Sequence, residues 1–409
     1  MSVPHQRRAI VVGGSIAGLF TAAFLRGIGW RVDVYERSSM ELVGRGAGIF
    51  VSHPEILEAL ERCGAGTVAL GVTAQGRITL NRNGDVIAQK LMPQIVSSWD
   101  RLRQLLATAI DPQRYHFGHL VERVEQDDGG VCVHFADAPH EHADLLVACD
   151  GFRSSVRAQL APEVQPIYAG YYLWRGAPKE SDLPSETRAT LFPNYAFFLG
   201  DELQVLGYPI PGADNDLRPG RRRYNFAWFR VADAEALTDM CVDDHGRQHE
   251  FSVPPPLVRR DLIAHMRTEA ETLLPPQFRD CLAAIAQPFF TPIYDFWSAS
   301  LVIGRVAFVG DAASTARPHM GFGTAKAGAE AQALARALSD HEDIDRALAV
   351  YNAERQPLSE RIVLHGRKLG TQLGVGIETD DDRKMSKLLQ DAHAIQEWVA
   401  VPNFLAMEP

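Results

Sequence analysis

The stretch Ala9-Ile10-Val11-Val12-Gly13-Gly14-Ser15-Ile16-Ala17-Gly18 decides the fold. A short, continuously apolar run such as Ala9 to Val12 reads as a strand buried on both faces, at the centre of a parallel sheet. Beyond the glycines, Ile16, Leu19, Phe20, Ala23, Phe24 and Ile28 recur at helical spacing and form one apolar stripe. Gly29 ends that helix, and Arg31 to Tyr35 alternates into a second strand finishing at Glu36. Strand, glycine turn, helix and strand make a βαβ unit of about 30 residues. The expected class is therefore α/β, with a Rossmann-like first domain.

The turn fits G-x-G-x-x-G with Ser15 in place of the second required glycine. Such a turn presents backbone N–H groups to a phosphate. Glu36 lies at the end of the second strand, where a carboxylate accepts hydrogen bonds from an adenosine ribose. A carboxylate there also repels a 2′-phosphate, which fits FAD or NAD and not NADP. Two further apolar runs end in similar segments: Leu145 to Cys149 runs into Asp150-Gly151, and Val306 to Val309 into Gly310-Asp311-Ala312-Ala313. Each has a plain alternative: a ligand-free strand–helix corner, an Asp-Gly turn with Ser154 or Ser155 as helix cap, or an N-capping aspartate. Taken together they point to one long cofactor held at both ends, and FAD is the candidate. Asp311 would then accept from a ribityl hydroxyl while the following helix dipole faces the flavin.

Around these motifs the chain reads as two units. Pro54 to Cys63 is a helix with proline in its first turn. Arg77 to Lys90 is strand–turn–strand, with Asn83-Gly84 as the hairpin signal. Tyr168 to Trp174, Tyr195 to Leu199, Gln204 to Pro209 and Tyr224 to Val231 are β-rich, and Pro211 to Arg223 is a loop. Long helices follow at Thr324 to Leu338 and Asp343 to Leu369, and an amphipathic segment at Lys384 to Val399. The expected division is a FAD-binding domain in three parts (1–75, 101–164, 301–370), and a substrate domain of mostly antiparallel sheet (165–300) joined by a hairpin (76–100). A C-terminal helical tail (371–409) completes it, to cover the first domain or to pair subunits as a homodimer.

The net charge of −10 argues against nucleic acid and anionic membrane as partners. No uncharged apolar run reaches the ~18 residues that would span a bilayer, and the polar stretch Met1 to Arg8 lacks a signal-peptide core. Cys63, Cys132, Cys149, Cys241 and Cys281 are scattered without CxxC or zinc spacing, so reduced thiols, no metal and a cytoplasmic location are expected.

The glycine turn, the Asp150-Gly151 segment and the Gly310-Asp311 segment together resemble those of the class A flavoprotein monooxygenases, the para-hydroxybenzoate-hydroxylase-like aromatic hydroxylases, from Ala9 to about Leu369. More narrowly, Gly13-Gly14-Ser15-Ile16, Gly46-Ala47-Gly48-Ile49, Tyr168-Ala169-Gly170-Tyr171, Trp174-Arg175-Gly176, Tyr208-Pro209-Ile210-Pro211-Gly212 and Arg317-Pro318-His319 resemble the 2,6-dihydroxypyridine 3-hydroxylase branch. The resemblance implies FAD contacts from Gly13, Gly14, Ser15, Ile16, Ala17, Gly18, Glu36, Arg37, Gly46, Ala47, Gly48, Asp150 and Gly151. It extends them to Gly310, Asp311, Pro318, Gly321, Gly323, Thr324 and Ala325. Three positions depart from the family: Ser314 replaces a histidine, Ala325 an asparagine, and Trp99 the arginine of an Arg-x-x-Leu segment, with Arg101 or Arg103 as stand-ins.

In such enzymes a flavin C4a-hydroperoxide delivers oxygen to an electron-rich ring, with O₂ and transient NADH or NADPH as co-substrates. No second dinucleotide fingerprint is present, which suits a reductant that binds and leaves. The implied substrate is a small hydroxylated N-heterocycle of hydroxypyridine type; urate- or hydroxybenzoate-type rings and a non-catalytic dinucleotide-binding protein are the alternatives. The candidate catalytic residues are His53, Tyr208, His319 and Arg175. For each histidine alone a structural or surface role outweighs a catalytic one, and Arg175 could equally be a cation–π partner of Trp174. Trp174, Phe192, Tyr195, Phe197 and Trp228 either wall a flat pocket or pack the core.

Overall fold

A computed structural model describes residues 6–40, 48–127 and 129–402. The expected βαβ unit is present: strand Arg8–Val12, helix Ile16–Gly27 and strand Arg31–Glu36. The first strand sits inside a six-stranded sheet, between Arg31–Glu36 and Leu145–Ala148. Val306–Phe308 pairs in parallel beyond Leu145–Ala148, Tyr115–Phe117 beyond Arg31–Glu36, and Val302–Ile303 closes one edge antiparallel. Both faces are covered, so Ile10, Val11, Leu146 and Val147 are wholly buried. The helices Ile16–Gly27 and Gly323–Asp340 pack together on one side. Because neighbouring strands run parallel, Val12, Glu36, Ala148 and Phe308 all end at the same sheet edge. The glycine turn, Glu36, Asp150 and Gly310 are brought together by that topology, as in other open α/β sheets.

The second sheet has nine mostly antiparallel strands, in the order Ser314–Thr315, Phe289–Trp297, Ile167–Gly176, Arg223–Val231, Leu203–Ile210, Asn194–Gly200, Val72–Leu80, Val86–Ser98 and Gly48–Phe50. Its hairpin runs from Val72 to Ser98, longer than the sequence suggested. Pro93 hid the extension; the register shifts between Ala74 and Gly76, so the proline falls at a bulge where no ladder bond is lost. Helices also occur where only sheet and loop were expected, at Ala234–Met240, Arg260–Leu273 and Pro276–Ala283. They cover the far face of this sheet and enclose a second core that contains Trp174, Phe192 and Trp228.

The C-terminal segment is two helices, Asp380–Leu388 and Ala394–Trp398, rather than one. Asp391 breaks the run by accepting from the His393 and Ala394 amides. The first of these helices packs against the long helix Ile344–Gly370, and the second docks on the second sheet. Fully buried Arg77 donates to the carbonyls of Gln396 at 2.7 Å, Val399 at 2.6 Å, and Ala400. Among the described residues, no helix is long and apolar enough to cross a membrane.

Candidate flavin and substrate site

Gly13 has φ +103°, and a Cβ there would lie 2.3 Å from the Cys149 carbonyl, so only glycine lets the two parallel strand ends approach this closely. The next peptide is held from both sides. The Gly14 N–H donates to Glu36 Oε2 at 2.9 Å, and Tyr115 donates its hydroxyl to the Gly14 carbonyl at 2.9 Å. Glu36 Oε1 accepts from the Ser38 amide at 2.9 Å. Ser15 caps the helix by position but its hydroxyl makes no capping bond. With Gly13, Glu36, Arg37, Asp150, Gly151 and Arg153 it lines a pocket of about 170 Å³. Ile16, Ala17 and Gly18 form the first helical turn behind it.

Asp150 accepts from the Val156 amide through Oδ2, while Oδ1 is buried with no partner among the described residues. Burial pushes this carboxyl up. The Gly310 peptide is fixed by a pair the sequence reading missed. Glu330 Oε2 accepts from the Gly310 N–H at 2.7 Å, Lys326 Nζ donates to the Gly310 carbonyl at 2.8 Å, and the two side chains pair at 3.0 Å. Their i,i+4 spacing on an otherwise alanine-rich helix was the available signal. The clamp aims Asp311 at the cavity. Asp311 opens onto that cavity, and desolvation by the protein packed around it raises its carboxyl, opposed by Lys326.

A larger cavity of about 770 Å³ continues from the first, sharing Arg37, Asp150, Gly151 and Arg153 with it. Pro318, Gly321, Gly323 and Thr324 line it, whereas Ala325 is buried within the helix. Gly46 and Ala47 lie outside the described residues. Gly48 is gripped at the cavity wall: its N–H donates to Asn225 Oδ1 at 3.1 Å, and Tyr208 donates to its carbonyl at 3.0 Å. A Cβ at Gly48 would sit 2.4 Å from the Tyr208 ring. Asn225 carried no sequence signal, because its partner lies 177 residues away.

The cavity's inner wall is the sheet face carrying Leu173, Arg175, Tyr195, Leu206, Tyr208, Asn225, Ala227 and Phe229. Tyr195 and Tyr208 stack at 4.8 Å and make part of it flat. Of the five aromatics weighed as pocket walls, only Tyr195 lines this cavity; Phe197 is buried in the same core, and the other three face the second. Strand alternation also separates Arg175 from Trp174, which packs edge-on against Phe290 on the opposite face. Among the described residues the Arg175 guanidinium has no hydrogen-bond or ion-pair partner. Burial lowers its pKa, opposed by Tyr208. Burial pushes Tyr208 up to about 12, opposed by Arg175.

The two histidines stand behind the wall and do not line the cavity. His53 Nδ1 lies 2.9 Å from the Pro402 carbonyl, its ring wedged between Phe50 and Phe322, and burial lowers its pKa to about 4. His319 Nε2 is 2.7 Å from the Tyr171 hydroxyl, with its ring stacked on Phe229, and burial lowers it to about 3. At the departures from the family, Trp99 itself lines the cavity. Arg101 turns away to the carbonyls of Val68 and Ala69, and Arg103 is buried off the cavity. Ser314 pairs with Trp297 in the sheet, its hydroxyl buried.

These features suit a dinucleotide flavin: a cradle that a Cβ at Gly13 would fill, an orphaned carboxylate oxygen on Asp150, and Glu36 and Asp311 at its two ends. The comparisons agree. A family described as an FAD binding domain matches residues 6–175, and one described as FAD binding domain-like matches 168–295. The 2,6-dihydroxypyridine 3-monooxygenase of Paenarthrobacter nicotinovorans is 31% identical over 91% of this chain and 93% of its own. The 6-hydroxynicotinate 3-monooxygenase of Pseudomonas fluorescens is 26% identical over 87% and 89%. The solved 2,6-dihydroxypyridine-3-hydroxylase of Arthrobacter nicotinovorans superposes with TM-score 0.85 at 29% identity, covering 92% of this chain and 95% of that one. The chain belongs to the FAD-dependent aromatic-ring monooxygenases.

Proposed function

We propose that this protein hydroxylates an electron-rich, hydroxylated N-heterocycle of hydroxypyridine type, using NAD(P)H and O₂. The observation that carries this reading is Arg175: a half-buried guanidinium with no carboxylate partner among the described residues, facing a flat, aromatic-walled cavity. A cation set into such a wall without a carboxylate is a ready site for an anionic ligand that excludes water on binding. A hydroxypyridine deprotonated at oxygen supplies the matching anion, and that anion is the electron-rich form of the ring. Tyr208, beside Arg175, keeps its proton at neutral pH and spends it on the Gly48 carbonyl, so its oxygen is placed to accept a hydrogen bond from a ring N–H or hydroxyl. Phe229, Leu173 and Leu206 keep water from the ring, and the Tyr195–Tyr208 stack sets its plane. FAD, reduced by NAD(P)H, supplies the activated dioxygen.

In this reading 1–75, 101–164 and 301–370 serve the flavin, 76–100 and 165–300 the substrate, and 371–409 is a C-terminal helical tail. The five cysteines are free thiols, which supports a reducing cytoplasm as its location.

The test is NAD(P)H oxidation with a panel of hydroxypyridines, hydroxybenzoates and urate, for the parent protein and Arg175→Met. Losing a charge-assisted hydrogen bond worth ~1.5–3 kcal/mol lowers kcat/KM roughly 10- to 150-fold on the hydroxypyridines, with flavin content unchanged. Equal kcat/KM for the two proteins on every ring, or turnover confined to urate or hydroxybenzoate, refutes the assignment.

A further inference from the structure

The small three-stranded sheet Val121–Asp127, Gly130–Phe135 and Glu141–Ala143 lies apart from the flavin and substrate cavities. One of its faces, carrying Val124, Val131, Val133, Phe135 and Ala143, is buried in the core. By strand alternation the other face collects Glu125, Cys132, His134 and His142. The register sets Cys132 directly between Glu125 on one neighbour and His142 on the other. His140, in the turn that leads into the last strand, stacks edge-on against His142 at 5.3 Å. Linear spacing hid this cluster; cross-strand pairing assembles it.

We propose that Cys132, His140 and His142 bind a borderline-soft divalent ion, for which zinc(II) is the fitting probe. Their ligand atoms all lie within 4.8 Å of one another. Cys132 Sγ is 3.7 Å from His142 Nε2. A tetrahedral ion with Zn–S ~2.3 Å and Zn–N ~2.0–2.1 Å needs that edge at ~3.6 Å. The thiolate–imidazole donor set selects zinc over calcium or magnesium. Solvent supplies the fourth ligand. His134 does not ligate the ion: its Nε2 lies 2.9 Å from Glu125 Oε2 and 3.5 Å from Cys132 Sγ, and the shorter contact to the carboxylate holds it. Binding displaces the thiol proton to solvent and fastens the Ala136–His140 turn to the middle strand. The opposite face of the sheet reaches the flavin unit's core, so occupancy raises thermal stability without entering the reaction.

The experiment uses untagged, FAD-loaded full-length protein, the variants Cys132→Ser and His142→Gln, and a chromophoric zinc chelator as competitor. The expected result is one equivalent of zinc per chain, a raised Tm, and loss of both effects in each variant at unchanged NAD(P)H turnover. Cobalt(II) in place of zinc should give the thiolate charge-transfer band in the parent and not in Cys132→Ser. Zinc uptake unchanged by both substitutions, or no uptake against the chelator, overturns the proposal.

Discussion

Lys326→Met tests the clamp behind Asp311. Lys326 and Glu330 are essentially inaccessible to solvent, 1% and 0% exposed, and pair at 3.0 Å. Methionine keeps the length of the side chain but leaves Glu330 a buried carboxylate without its cation. The Gly310 carbonyl loses its donor as well. Breaking a buried pair from one side costs about 3–5 kcal/mol. The lower end applies here, because the Gly310 N–H at 2.7 Å and Ser359 Oγ at 3.0 Å still donate to Glu330. The double variant Lys326→Met/Glu330→Gln removes the stranded charge; the amide oxygen still accepts from the Gly310 N–H, while the amide nitrogen donates to Ser359 Oγ, which turns from donor to acceptor. This variant should recover all but about 1–2 kcal/mol, giving a clear coupling energy in a double-mutant cycle. Urea unfolding followed by tryptophan fluorescence, with FAD saturating and again without it, measures both terms, since bound flavin adds its own stabilisation. A single variant that loses less than about 1 kcal/mol, or a double variant no better than the single, would refute the clamp.

Glu36→Ala removes the acceptor of two backbone amides and the proposed ribose contact, so FAD affinity should fall at least about tenfold by fluorescence titration; normal flavin content after purification contradicts it. Asn225→Ala strands the Gly48 N–H at the cavity wall, and an unsatisfied buried donor costs about 1–3 kcal/mol in urea unfolding, with more peroxide released per NAD(P)H consumed. His53, held near pKa 4 against an ordinary 6.5, is protonated more readily in the unfolded chain. Its contribution is therefore whole above about pH 6.5 and is lost as pH falls from there toward 4, by up to about 1.4 kcal/mol per pH unit. The urea midpoint of His53→Gln should depend less steeply on pH in that window than the parent's; identical slopes contradict this.

Most of the first unit was readable because its signals are local. Val12 to Gly18 encodes a strand, a turn and a helix within a few residues, and Glu36, Asp150 and Gly310 each end an apolar run. Parallel pairing then brings those ends to one edge. The site's other groups depend on long-range geometry. Asn225 meets Gly48 across the sheet, and Lys326 and Glu330 meet Gly310 only once the helix is docked. The wall aromatics could not be divided between pocket and core for the same reason. Trp174 and Tyr195 look alike in sequence, but the strand face decides that one packs a core and the other lines the cavity. His53 and His319 sit in segments that border the site, yet their side chains point behind it, and nothing in the local pattern reports that direction.

The most direct test of the central claim is turnover under isotopically labelled dioxygen, with a hydroxypyridine, NADH or NADPH, and the flavin-loaded protein. The expected product is a hydroxylated ring carrying one labelled oxygen atom for each nicotinamide oxidised. Nicotinamide oxidation that yields only peroxide with every hydroxypyridine, or a product whose new oxygen comes from water, would contradict it.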